Sequence, residues 1–142
     1  MKPKLIAYWI TTALVAFVFV GGGTMDLLGS AEVIAGMAAL GYPAYFATIL
    51  GVWKVLGAGA VLVPGLPRVK EWAYAGMFFD LTGAAISHAS VSDPAGKVIT
   101  PLVITALLIA SWRLRPASRV LGTLSSSASA TQGAQPLSAQ AA

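Results

Sequence analysis

Residues 44–63 read Ala-Tyr-Phe-Ala-Thr-Ile-Leu-Gly-Val-Trp-Lys-Val-Leu-Gly-Ala-Gly-Ala-Val-Leu-Val. Twenty residues with one charge among them are long enough to cross a bilayer core of about 30 Å. That charge, Lys54, falls in the middle. A lone charge at such depth costs about 3 kcal/mol on insertion scales, so it is expected to face a partner inside the protein. The next apolar stretch, about residues 70–90, carries Asp80 at a similar depth and His88 near its far end. The reading that follows is a small membrane bundle with a polar centre.

Composition agrees. Of 142 residues, 57% are hydrophobic and only 10% charged, against about 25% charged in ordinary soluble domains. Mean hydropathy is +0.79. The net charge is +4, yet the cations lie at the ends of apolar stretches and form no basic run, so nucleic acid is not an expected partner. The absence of cysteine excludes disulfides, thiol relays and Cys-ligated metal or iron–sulfur sites.

Working outward, four stretches have membrane-spanning length: residues 5–23 with an extension toward 28, residues 44–63, about 70–90, and 98–114. Between the first two, residues 31–40 read as a short helix with Ser30 as N-cap and Gly41 as its stop. The connections at 64–67 and 91–96 are short, so neighbouring spans are expected to be antiparallel. The fold class is therefore all-α, an integral membrane four-helix bundle. It is expected as a four-span domain over residues 1–115 and a flexible low-complexity tail over 116–142, which is Ser-, Ala- and Gln-rich and lacks apolar anchors. The first stretch is long for a signal peptide and is read as a retained span.

Seven of the nine basic residues (Lys2, Lys4, Arg68, Lys70, Arg113, Arg115 and Arg119) fall on one side of this arrangement. The positive-inside bias makes that side cytoplasmic and puts both termini there, in a cytoplasmic (inner) membrane. Tyr8, Trp9, Trp72, Tyr74 and Trp112 fall at the same boundary and are expected to form an interfacial aromatic belt.

Lys54 shares a helix face with Ala47, Gly51 and Ala58; Asp80 shares one with Gly76, Gly83 and Ser87. Small residues let membrane helices approach closely. Each charge lies ten residues into its span, about 15 Å deep. Lys54–Asp80 is the expected ion pair, either as a neutral lock on helix register or as a midplane site for the polar group of a ligand. His88, the only histidine, is two turns from Asp80 toward the outer side and can carry protons near neutral pH. One His among scattered carboxylates has no metal-ligand spacing, so no metal is expected. Glu71 is expected in the first turn of the third span, where the helix dipole favours a carboxylate and Arg68 is near in sequence. Asp26 and Glu32 read as solvated outer-loop charges. Gly21-Gly22-Gly23 lacks the Lys-Ser/Thr of a phosphate loop and suits a break or close packing at the end of the first span.

Gly41-Tyr42-Pro43, Gly51-Val-Trp-Lys54-Val-Leu-Gly57-Ala, Lys70-Glu-Trp-Ala-Tyr-Ala-Gly76 and Asp80-Leu-Thr-Gly-Ala-Ala-Ile-Ser-His88 together resemble the DoxX-like membrane proteins over about residues 5–115. The resemblance implies a small four-helix bundle of bacterial cytoplasmic membranes and quinone-linked redox work, with quinone as the implied bound cofactor. His88 matches the family's third-span histidine; in the redox reading Lys54, Asp80 and His88 are the expected catalytic residues, and Lys54, Glu71, Asp80 and His88 the expected cofactor contacts. The family pattern often has Lys near the end of span one and Glu in span two. Here the signs are exchanged, Asp26 and Lys54, which makes Asp26–Lys54 a rival to Lys54–Asp80. The implied partners are the lipid bilayer, a membrane or peripheral redox protein and a second copy of the chain. The alternative function is a non-enzymatic membrane scaffold or a small-molecule transporter.

Overall fold

The structure, a computed structural model, describes residues 2–122. Among them the chain forms five α-helices: α1 (Pro3–Leu28), α2 (Ala31–Ala39), α3 (Ala44–Leu62), α4 (Pro67–Ser90) and α5 (Ala95–Leu114). The described residues contain no strand. Three helices, α1, α3 and α5, are long and apolar enough to cross a membrane. α4 has 24 residues but carries Arg68, Lys70, Glu71 and Asp80 and is the least apolar of the long helices.

Helix boundaries follow local chemistry. Pro3 and Pro67 open α1 and α4, where a missing N–H costs nothing. Ser30 caps α2, its hydroxyl accepting from Val33 N at 3.3 Å. Gly29 and Gly41 close α1 and α2 with φ of +59° and +83°, a left-handed backbone that glycine adopts without Cβ strain. α1 does not break at its three glycines; it continues for more than a turn beyond them.

α1 packs on α3 and α5, and α4 packs on both α3 and α5. The apolar centre is built from Val15, Ala16 and Phe19 of α1, Ala58 and Val61 of α3, Tyr74, Met77 and Leu81 of α4, and Leu108 of α5. A buried hydroxyl chain ties three helices together: Ser111 Oγ lies 2.7 Å from Thr12 Oγ1 and 2.8 Å from the Tyr74 hydroxyl. Tyr8 and Tyr74, expected in the aromatic belt, are buried instead. Their hydroxyls have partners inside the bundle, which lets the rings pack in the core. Trp9, Trp72 and Trp112 are exposed on the bundle surface.

The basic residues near this end have structural roles. Lys70 is fully buried, and its ammonium donates to the carbonyls of Ala60 (2.6 Å), Val61 (3.2 Å) and Val63. Arg119 donates to Val61 O at 3.1 Å and Leu62 O at 3.2 Å. These are the last carbonyls of α3, which have no partner within the helix and carry its negative dipole end. Arg119 reaches them from a 3-10 turn at Ala117–Arg119. Ordered structure thus continues past residue 115, the expected start of the tail; the remainder of that tail, from residue 123, lies outside the described residues.

Candidate functional site

Lys54 bonds Asp26, not Asp80: Nζ lies 2.8 Å from Asp26 Oδ2. Asp26 is no solvated loop residue. It occupies the last turns of α1 and is only 7% exposed. Thr12, Ala16, Phe19, Gly23 and Asp26 recur at helical spacing, and all are buried. That stripe was the available signal for Asp26, masked by where the apolar run stops.

Glycine makes the pair possible. A Cβ at Gly51 would lie 2.7 Å from Gly23 O, and one at Gly23 would lie 2.9 Å from Lys54 Cβ. α1 and α3 are therefore in near backbone contact at the level of the ion pair, as small residues permit. The expected face of α3 is buried as read, with Ala47, Gly51 and Ala58 all inside. The corresponding face of α4 is not. A Cβ at Gly76 or Gly83 would meet no atom within 4 Å, because α4 turns Tyr74, Met77, Leu81 and Ala85 toward its neighbours instead.

The space left beside Gly76 is a groove of about 390 Å³ between α3 and α4, lined also by Phe19 of α1. Its walls include Leu50, Trp53, Leu56, Val69, Trp72 and Met77. Trp53 and Trp72 are 68% and 79% exposed, so the groove opens on the bundle surface. Among the described residues, Lys54 and Asp80 are the only charged ones that line it. The structure thus brings Lys54 and Asp80 to one cavity without pairing them. Asp80 has no ion-pair partner among the described residues.

The other two candidates lie elsewhere. His88 lies in the last turn of α4, and its Nδ1 sits 2.7 Å from Asp93 Oδ2 in the α4–α5 connection. Asp93 also takes Lys97 Nζ at 3.2 Å. The hydrogen bond from His88, helped by Lys97, holds the Asp93 carboxyl below the usual aspartate range. Glu71 is in the second turn of α4, and its partner is not Arg68. It accepts from Arg115 Nη2 at 2.7 Å and from the Trp112 indole at 3.0 Å. Arg115, itself buried, stacks its guanidinium 4.9 Å from the centre of the Tyr74 ring. Glu71 faces a different, smaller groove, between α4 and α5. Neither His88 nor Glu71 lines the groove that holds Lys54 and Asp80.

Among known proteins, the model of the DoxX-like family aligns with residues 10–111. No curated protein and no solved structure matches the chain significantly.

Proposed function

The chain belongs to the DoxX-like family, and on that premise we propose that this multi-pass membrane protein binds a lipid-soluble molecule with one polar head in the groove between α3 and α4. The observation that carries the reading is the groove's composition. Its walls are apolar, it is open at the bundle surface where two exposed indoles line it, and two charged side chains line it as well. Such a groove admits a molecule sideways from the acyl-chain region and fixes it by its head, the usual division of labour in a ligand site. The arrangement follows if α4 spans the membrane with α1, α3 and α5, as four antiparallel spans with both termini cytoplasmic, in a cytoplasmic membrane. The basic residues gathered where α3 ends and α4 begins support that orientation.

Quinone-linked work is the redox form of this reading. A quinone ring suits apolar and aromatic walls, and the Lys54 ammonium keeps donor capacity beyond its bond to Asp26. The bound molecule supplies the electron chemistry; the chain binds and orients it and keeps it from water.

Gly76→Phe tests the proposal. The site beside Gly76 is open, so the ring fills the groove without displacing a helix. Organic extracts of the purified parent should contain a lipid-soluble compound that is lost from the variant while the variant's thermal stability is kept. Identical extracts would refute the groove, and a co-purifying protein as the only difference would favour a scaffold.

A further inference from the structure

Lys54 of α3 and Asp80 of α4 line one groove, and Asp26 of α1 bonds Lys54 from outside it. The Lys54 ammonium is taken at 2.8 Å by Asp26. That pair is neutral as a unit. Asp80 lines the same cavity with no hydrogen-bond or ion-pair partner among the described residues. With Asp80 ionised, two carboxylates face one ammonium and the group carries one net negative charge. In its ionised form Asp80 faces apolar walls with no counter-charge of its own among the described residues; a bound cation supplies one and favours that form. The groove walls carry the indoles of Trp53 and Trp72, whose faces attract cations as well as apolar groups.

We infer that the groove takes a lipophilic cation, a bulky quaternary ammonium or phosphonium ion with apolar substituents, whose charge is matched by Asp80. This rests on the reading of the groove as a ligand site and names the head group that site prefers. Lys54 does not repel such an ion, because Asp26 offsets it from behind. The apolar substituents lie along Leu50, Leu56 and Met77, and the open side lined by the two tryptophans admits them from the bilayer. Asp80 is then the specificity-determining residue, and the Lys54–Asp26 pair is a positioning element that leaves Asp80 free.

The test is equilibrium binding of radiolabelled tetraphenylphosphonium to the full chain in lipid nanodiscs, alongside a neutral short-chain benzoquinone. The expected result is saturable phosphonium binding that falls about tenfold in Asp80→Asn, as for loss of one desolvated charge contact, and returns in Asp80→Glu. The benzoquinone is expected to bind more weakly and to be indifferent to Asp80→Asn. Phosphonium binding unchanged in Asp80→Asn overturns the inference. Saturable benzoquinone binding without phosphonium binding also overturns it and leaves the groove reading standing. Binding of neither probe, with the variants folded, removes both.

Discussion

The ammonium of Lys54 and the carboxylate of Asp26 meet at 2.8 Å across the α1–α3 contact. Two glycines, Gly23 and Gly51, bring the helices close enough for them to do so. Removing one partner of such a pair strands a charge in a poorly solvated site, at a cost of about 3 kcal/mol. Lys54→Met should therefore lower thermal stability sharply. Lys54→Met with Asp26→Leu should recover most of the loss, since replacing both partners is often nearly neutral. Lys54→Met with Asp80→Leu should not recover it. Thermal unfolding of the four proteins in one detergent decides; rescue through Asp80 alone would mean the pairing lies on α4.

The glycines should differ sharply in their tolerance of alanine. Gly51→Ala pushes a methyl against the Gly23 carbonyl, 2.7 Å away, and Leu27 Cγ, 2.8 Å away. Overpacking of this kind costs about 1–3 kcal/mol, and separation of α1 from α3 weakens the ion pair as well. Gly22→Ala meets nothing within 4 Å and gains helix propensity, so it should be neutral or stabilising. Equal melting temperatures for the two variants would contradict the close α1–α3 contact.

Lys70→Met should destabilise the protein more than Arg119→Ala. The Met side chain fills the buried volume but leaves the Ala60 and Val63 carbonyls without their donor and Val61 O with Arg119 alone. A buried acceptor left unsatisfied costs about 1–3 kcal/mol. Arg119 is only partly buried, and of the two carbonyls it serves, Val61 O also has Lys70. A Lys70→Met protein as stable as the parent would show that water replaces the ammonium there.

The α4–α5 connection carries a pH signature. The Asp93 carboxyl titrates below the usual aspartate range, chiefly through its hydrogen bond with His88. A depressed folded-state pKa contributes stability that is present above the ordinary aspartate value and is lost as pH falls through the lower, folded one. Melting temperatures measured from about pH 6 down to about pH 3 should show an acid-side loss that shrinks in Asp93→Asn, in keeping with that linkage. An identical acid limb in both proteins would mean that Asp93 titrates alike folded and unfolded.

Much of this protein was determined by its sequence alone, because hydrophobic length and turn chemistry act locally. Stretches long enough for a bilayer, Ser30 before a short helix, Gly41 after it, and Lys54 amid small residues are each legible without knowing what packs where. Partner choice was not local. Asp26 lies beyond the apolar run of the first helix, and only the continuation of α1 through its glycines, pressed against Gly51, carries it to Lys54. Asp80 shares a face with glycines, and small residues there permitted either close packing or empty space. Tertiary structure decided for space, because α4 commits Tyr74, Met77 and Leu81 to the core and a helix cannot turn two opposite faces inward at once. Glu71 and His88 were separated from the groove for the same reason. Each finds a nearer partner, Arg115 for one and Asp93 for the other, and a charge settles on the partner that packing brings within hydrogen-bond distance.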